Sequence, residues 1–322
     1  MDSDKTFYAK TLFYQGSYLA CHSTISAMNE PSFQLILFSA RSLISLKKFE
    51  EAIDLLEKFL DSQPSARALT LLAKFHQKNS TTDAEREKFS EDAEALTEEI
   101  ADEENDGIDS VLRVTLATLL ILLDNVTLAI FLLKQGVQLK SLEAVALLVS
   151  LYLSPRIRRP DLARALYRSA KSWADDAILL QMAEAWISAI TGSAAGSASG
   201  KDPGGYQSAF YVFDEMTNTS TASPDHVNVN GLNGKAVTQL AMGHVDEAQA
   251  NLVEALRINP EDESALANAI VIRAHLDSED SETSNLLEKL KSINPRHPLI
   301  VDLDQHSILF DEAAKKFVSS TA

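Results

Sequence analysis

Apolar residues recur along this chain at the three- and four-residue spacing of a helix. In segment 49–60 one stripe holds Phe49, Ala52, Ile53, Leu56 and Leu60. Segment 83–101 carries a similar stripe, with charged residues on the opposite face. Alternating polar and apolar runs, which predict strands, are missing. The pattern therefore predicts consecutive helices of about 12–18 residues joined by short turns.

The predicted helices repeat as pairs. In the best-preserved pair a turn glycine is followed by small and large residues in alternation and then by a proline, at Gly243, Ala248, Leu252, Ala255 and Pro260. This pattern is typical of the tetratricopeptide repeat, which has two helices in about 34 residues. Weaker matches complete eight helix pairs. We therefore predict an all-α fold, a right-handed α-solenoid over residues 1–296 with a C-terminal helical tail over 297–322.

Two segments interrupt the repeats. Segment 83–109 holds 13 acidic and 2 basic residues. We interpret it as a solvated helix face and loop, with an acidic docking patch as the alternative. Segment 192–205 is rich in glycine and serine, which predicts a flexible loop that lengthens one turn.

Composition and charge exclude several classes of protein. Acidic residues outnumber basic ones by 46 to 29, giving a net charge of −17. Such a chain lacks the basic face that nucleic acid or anionic lipid requires. No apolar run approaches the ~20 residues of a membrane-spanning helix. The single cysteine cannot form an internal disulfide, and the first residues show no secretory pattern, so we expect a cytoplasmic protein.

Candidate catalytic and metal-binding residues are few. The chain contains neither a His-Glu-x-x-His motif nor a nucleophile-elbow serine. Cys21 occupies a small-residue position of the repeat, which predicts a packed thiol. His297 and His306 share the tail with Asp302 and Asp304, where capping or surface roles are the expected reading and a metal site is the alternative. We predict no catalytic residue, metal or cofactor.

The first helices of several pairs are apolar nearly all round, as in segments 33–46, 111–123 and 142–153. Such helices must be covered on two sides. In this repeat, the first helix of each pair lines the concave groove. The positions expected to face the groove, called the inner-wall residues below, are Leu37, Arg41, Ile44, Val114, Thr118, Ile121, Leu148, Tyr152, Leu180 and Ile187. Either neighbouring repeats cover them or a partner does. We expect a partner, because several units share the feature.

Four segments resemble the epsilon-subunit family of coatomer, the coat of Golgi–endoplasmic reticulum transport vesicles. They read FYQGSY at 13–18, AEAWISAITG at 183–192, LNG at 232–234 and HPLI at 297–300. The resemblance implies a non-enzymatic scaffold that binds the C-terminal region of the coatomer alpha subunit and, indirectly, other coatomer subunits. It also implies a place on Golgi membranes and COPI-coated vesicles, in Golgi-to-ER and intra-Golgi transport.

Two other functions remain open from the residues. The first is another tetratricopeptide adaptor, either a vesicle-fusion adaptor or a clamp for acidic C-terminal tails. A clamp needs Lys, Arg and Asn on successive first helices, where this chain is mostly apolar. The second is a helical-toroid enzyme, which needs clustered ionisable residues in the groove.

The groove hypothesis makes two statements about side chains. Apolar wall residues supply affinity, while Lys10, Arg41, Lys74 and Glu184 tune the register of the partner. We therefore expect Leu37→Asp or Ile121→Asp to break the complex without unfolding the solenoid.

Overall fold

The computed structural model describes residues 2–78, 82–101, 108–174, 176–192, 205–219, 228–276 and 281–318. Within these ranges the chain forms 17 α-helices and no strand. The helices are α1 (Asp2–Tyr14), α2 (Tyr18–Ser26), α3 (Phe33–Ser45), α4 (Phe49–Glu57), α5 (Pro64–Gln77), α6 (Asp83–Ala101), α7 (Ile108–Leu122), α8 (Val126–Gln138), α9 (Leu142–Leu153), α10 (Pro160–Lys171), α11 (Ile178–Thr191), α12 (Gly205–Thr219), α13 (Val229–Ala241), α14 (Val245–Ile258), α15 (Glu263–His275), α16 (Ser281–Ile293) and α17 (Pro298–Val318).

The helices stack as consecutive pairs. Helix α7 packs on α8, and α9 then packs on both; α13, α14 and α15 repeat the arrangement. The first helices α3, α5, α7, α9 and α15 each contact their own partner, the preceding second helix and a neighbouring first helix. Contacts of this kind let a helical-repeat solenoid bury a continuous core. The predicted fold class, with helix pairs followed by one last helix, is confirmed.

Contacts divide the chain into two compact units. The first comprises Met1–Val212 and Thr219–Asn228, and the second comprises Phe213–Asn218 and Val229–Ala322. In the first unit the largest core cluster runs through α5 to α11 and is built mainly from leucine, alanine and valine. In the second unit smaller clusters lie between α13, α14 and α15 and between α15, α16 and α17. The predicted boundary between solenoid and tail at 297 stays a prediction.

Left-handed backbone conformations end several helices. Gly16 has φ +79° and Gly243 has φ +85°, and glycine adopts this conformation without a steric penalty. Lys47, Asp124 and Lys140 adopt it without being glycine, with φ of 60°, 71° and 56°. After Lys140 the chain closes the turn with a hydrogen bond from Ser141 N–H to Gly136 O of 3.0 Å. Turns within pairs and the turn after α8 therefore share this left-handed helix end, whether or not glycine occupies it.

The acidic segment forms a helix as far as the structure describes it. Thr82 and Glu85 cap α6 reciprocally: Thr82 N–H donates to Glu85 Oε2 at 3.0 Å, and Glu85 N–H donates to Thr82 Oγ1 at 3.3 Å. Phe89 and Ala93 are buried against the neighbouring helices, whereas most of the charged residues are exposed. This agrees with a solvated helix face. Residues 102–107, and residues 193–204 of the predicted Gly/Ser loop, lie outside the described part of the chain.

Two exposed helix-end positions test the cost of the left-handed turn. At Gly243 nothing lies within 4 Å of an added Cβ, so Gly243→Ala changes only the backbone preference. We expect it to lower the free energy of unfolding by about 1 kcal/mol. Lys140→Gly relieves the same left-handed strain at a position that now carries a Cβ, so it should raise that free energy by about 1 kcal/mol. Urea unfolding of both variants measures the two effects, and equal signs would contradict the assignment.

Candidate partner-binding surface

The ten inner-wall residues lie on α3, α7, α9 and α11. Leu37, Val114, Leu148, Tyr152, Leu180 and Ile187 are buried. Arg41, Ile44, Thr118 and Ile121 are half-buried. The six buried residues are covered by helices of this same chain. This is the alternative to a partner that the sequence left open. A role of the ten in binding a partner stays a prediction.

Leu37 shows what this burial means for mutagenesis. It has no accessible surface and packs in one cluster with Ile36, Ala40 and Leu69. An aspartate at this position would bury an unpaired carboxylate, so the substitution should destabilise the fold itself. The expectation that Leu37→Asp leaves the solenoid intact therefore conflicts with the structure. Ile121 is half-buried and remains a usable position.

The inner wall is bridged by three side chains from helices distant in sequence. Arg41 on α3 faces Glu143 on α9 with both terminal nitrogens, at 3.0 Å from Nη1 to Oε1 and 2.9 Å from Nη2 to Oε2. Tyr14 on α1 donates its hydroxyl to the same Oε1 at 2.6 Å. We call Tyr14, Arg41 and Glu143 the clasp. It joins the first and second helix pairs to the fifth.

Aromatic rings enclose the cation of the clasp. The Arg41 guanidinium lies 4.6 Å from the ring centre of Phe13 and 5.3 Å from that of Phe38. The two rings meet edge to face at 5.1 Å. Ring faces attract a cation, and they do so more strongly where water is excluded. The side chains of Arg41 and Glu143 are only 17% and 13% exposed, so this ion pair lies largely out of solvent.

Burial and charge act against each other on the clasp. Burial by itself raises the pKa of Glu143, but the Arg41 charge and the hydrogen bonds from Arg41 and Tyr14 outweigh it, so the pKa lies below its ordinary value. Burial, followed by the Glu143 carboxylate, raises the pKa of Tyr14 well above its ordinary value. Tyr14 therefore stays a neutral donor, and Glu143 stays an anion, at physiological pH.

A second contact within the first unit joins residues far apart in sequence. Asn228, which precedes α13, donates its side-chain N–H to Gln15 O at 2.7 Å, in the turn after α1. Gly16 lies beside the same side chain, where an added Cβ would stand 3.4 Å from Asn228 Nδ2. The segment FYQGSY thus contributes to the clasp and to the Asn228 contact. Tyr14 belongs to the clasp, and the backbone carbonyl of Gln15 accepts the hydrogen bond from Asn228.

The predicted register residues separate into different environments. Lys10 lies beside the clasp, with Nζ 5.7 Å from the centre of the Phe38 ring. Glu184 on α11 accepts a hydrogen bond of 2.5 Å from Tyr167 on α10, so it joins two neighbouring helices. Lys74 on α5 is exposed. The structure brings Lys10 and Arg41 together and leaves the other two apart.

The remaining candidate residues have structural surroundings. His297 precedes α17 and accepts a hydrogen bond of 3.2 Å from Leu299 N–H through Nδ1, which is a capping role. His306 Nδ1 lies 2.8 Å from the Asp302 carbonyl oxygen on its own helix. Burial raises the pKa of the Cys21 thiol, which lies in the core. Among the described residues no three His, Cys, Asp or Glu side chains are grouped to hold a metal ion.

Sequence reasoning missed Glu143 and Tyr14. Glu143 is the one charged residue in the apolar segment 142–153, and Tyr14 lies within the FYQGSY segment. A single carboxylate in an otherwise apolar helix predicts a buried cationic partner, because an unpaired charge is costly to bury. That signal was present, but the spacing of 102 residues to Arg41 gave no means of choosing the partner.

Solved structures show the class of protein that this fold defines. A chain in the crystal structure of the APC/C hetero-tetramer Cut9–Hcn1 aligns with a TM-score of 0.58 and 12% identity, over 94% of this chain and 55% of that one. A tetratricopeptide repeat protein from Parabacteroides merdae aligns with a TM-score of 0.52 and 12% identity, over 84% and 97%. At such identities the likeness establishes the fold alone. The chain has the fold of a tetratricopeptide-like α-solenoid.

Sequence comparison identifies the family. The family model described as coatomer epsilon subunit matches residues 2–318. The probable coatomer subunit epsilon of Schizosaccharomyces pombe is 26% identical over 321 residues, covering 99% of this chain and 97% of the relative. The Dictyostelium discoideum coatomer subunit epsilon is 24% identical over 332 residues, covering 98% and 100%. The chain belongs to the coatomer epsilon subunit family.

Family and fold together indicate a structural component of the coatomer coat. As a coatomer subunit it has other coatomer subunits as its partners. Among the helices of the described residues, none combines the length and apolarity needed to cross a membrane.

A double-mutant cycle tests the clasp. Arg41→Met leaves the Glu143 carboxylate buried without its cation, and Glu143→Leu leaves the guanidinium unpaired. We expect each single variant to lower the free energy of unfolding by about 3 kcal/mol, and the double variant to lose much less than the sum. Chemical unfolding of the four proteins measures the coupling. Additive losses would show that the two side chains do not depend on each other.

The clasp also predicts a dependence on pH. Because the pKa of folded Glu143 is lowered, its contribution to stability is complete above the ordinary glutamate pKa and is lost as pH falls through the lowered pKa. Glu143→Gln should therefore lose less stability on acidification than the parent chain. Unfolding measured from about pH 7 to about pH 3 checks this. Glu91→Gln, at an exposed position of α6, is the matched control and should retain the slope of the parent chain.

Proposed function

We propose that this chain holds the C-terminal region of the coatomer alpha subunit within the vesicle coat. In this role it acts in the cytoplasm, on Golgi membranes and COPI-coated vesicles, in Golgi-to-ER and intra-Golgi transport. Family membership across residues 2–318 supports a coat component. The choice of the alpha subunit as the direct partner is the part that requires testing.

One structural observation carries the proposal. The inner-wall residues all lie on first helices of their pairs, and four of them keep part of their surface accessible although the rest of the wall is covered. Ile44 and Ile121 offer apolar surface at the margins of two core clusters. A partner segment laid along these helices would complete their burial, and removal of apolar area from water is a favourable term in protein association.

The burial of the other six residues limits what the partner supplies. Those side chains are already covered in the isolated chain, so the folded state does not depend on a partner to exclude water from them. Affinity then comes from a small number of positions, as is usual at protein interfaces. The partner still stabilises the folded chain by mass action in proportion to its concentration.

The clasp argues against the peptide-clamp alternative. A clamp for acidic C-terminal tails needs a free guanidinium or ammonium group on the inner face. Arg41 is the inner-wall cation, and both of its terminal nitrogens face Glu143 of the same chain. It is therefore already paired with a carboxylate.

Substitution of Ile121 tests the wall as a binding surface. The chain is co-expressed with a C-terminal fragment of the alpha subunit, and the complex is isolated by gel filtration. We expect a stoichiometric complex for the parent chain and at least about tenfold weaker binding for Ile121→Asp, because a carboxylate would be desolvated in the interface.

Phe131→Asp supplies the matched control. Phe131 lies on α8, the second helix of the same pair, and is 54% exposed. We expect it to leave binding unchanged, and melting temperatures establish that both variants are folded. Equal binding by folded Ile121→Asp and Phe131→Asp would refute the wall as the interface. Failure of the parent chain to bind the fragment would refute the choice of partner.

A further inference from the structure

The last helix, α17, is the least covered helix of the second unit. It is attached at its start, where Ile300 is buried in one cluster with Leu266, Ile270 and Leu290. From residue 301 to residue 316 every side chain is exposed except Ala314, which is half-buried. Most helical stability in proteins comes from packing an apolar face rather than from helix propensity. The long exposed part of α17 therefore needs a surface to pack against.

Apolar positions on α17 follow the spacing of a two-helix coiled coil. Leu299, Leu303, His306, Phe310 and Ala313 succeed one another at intervals of four, three, four and three residues. This alternation keeps them on one seam of the helix. Leu299 packs against the cluster of the same chain that holds Ile300. Phe310 is 73% exposed and Leu303 is 43% exposed, so the seam is open to solvent from Leu303 onward.

We propose that α17 pairs with the α17 helix of a second copy of this chain, in antiparallel orientation. In the register that aligns the two seams, Leu303 faces Ala313 of the second copy and His306 faces Phe310. The large residues of one helix then oppose small or planar residues of the other, which is how the layers of such a pair interlock. The pairing is two-fold symmetric, so every contact occurs twice.

Charge supplies the argument for a second copy. Asp302 and Lys316 lie on the same edge of the seam, near opposite ends of the helix. Antiparallel pairing sets Asp302 of each copy beside Lys316 of the other, giving two ion pairs related by symmetry. Parallel pairing sets Asp302 opposite Ser307 instead. Charges flanking a coiled-coil seam select the orientation of the partner in this way.

Leu309 fits the same arrangement. It lies on the edge of the seam between Asp302 and Lys316 and is 59% exposed. In the antiparallel pair it meets Leu309 of the second copy near the symmetry axis. The pairing thus covers a leucine that is largely exposed in the isolated chain.

Exchange of the two charges tests the proposal on the full chain alone. Sedimentation equilibrium should show a concentration-dependent dimer for the parent protein. Asp302→Lys and Lys316→Asp each place like charges together twice, and each should weaken dimerisation by about tenfold. An equimolar mixture of the two variants restores both ion pairs between unlike copies. It should therefore dimerise at concentrations where each variant alone is monomeric. Absence of that rescue would overturn the antiparallel pairing.

Two further substitutions separate the seam from the rest of the helix. Phe310→Asp places a charge in the seam and should abolish the dimer. Ile308→Asp is the matched control, because Ile308 is 60% exposed but lies on the opposite side of α17, and it should leave the dimer intact. A parent chain that remains monomeric would overturn the proposal. So would loss of binding to an alpha-subunit fragment by Phe310→Asp alone, since the seam would then belong to that partner.

Discussion

The Arg41–Glu143 ion pair joins α3 to α9 across two intervening helix pairs, and the first unit is organised around it. Removing two charges from water costs several kcal/mol per ion, which is recovered only when geometry and further hydrogen bonds satisfy both groups. Here Oε1 of the carboxylate accepts hydrogen bonds from Arg41 and Tyr14, while Oε2 is held by the Arg41 charge at 2.9 Å without a hydrogen bond. The guanidinium also lies against two aromatic rings. The pair therefore constrains α1, α3 and α9 to a single relative arrangement.

This constraint changes how the repeat array holds together. In a simple solenoid each repeat contacts only its neighbours, so stability is a sum of local terms and the ends fray. The clasp adds contacts between residues 102 and 129 positions apart, and Asn228 adds one between residues 213 apart. The first helix pair is thereby held by the middle of the unit as well as by the second pair. Contacts so distant in sequence also close large loops, which slows folding.

The helix pairs were predictable because their cause is local. Apolar spacing sets each helix, and small residues such as Ala248 and Ala255 sit where helices cross closely, both fully buried. What covers the inner-wall residues could not be predicted from local spacing. Periodicity shows that Leu148 and Ile187 point away from water but not whether another chain or a neighbouring helix covers them. The partner of Glu143, and left-handed turns at Lys47 and Asp124 without glycine, depend on tertiary context for the same reason.

The clasp also determines which side chains a partner segment needs in order to bind the inner-wall residues. A segment that leaves the clasp closed can cover only the half-buried positions, so its contact side chains are apolar ones that match Ile44 and Ile121. A segment that separates Arg41 from Glu143 leaves a largely buried carboxylate without its cation, and that loss costs about 3–5 kcal/mol. It must therefore bring an arginine or lysine of its own to Glu143, and an acceptor for Arg41. An apolar segment offers neither group, so it binds with the Arg41–Glu143 ion pair intact.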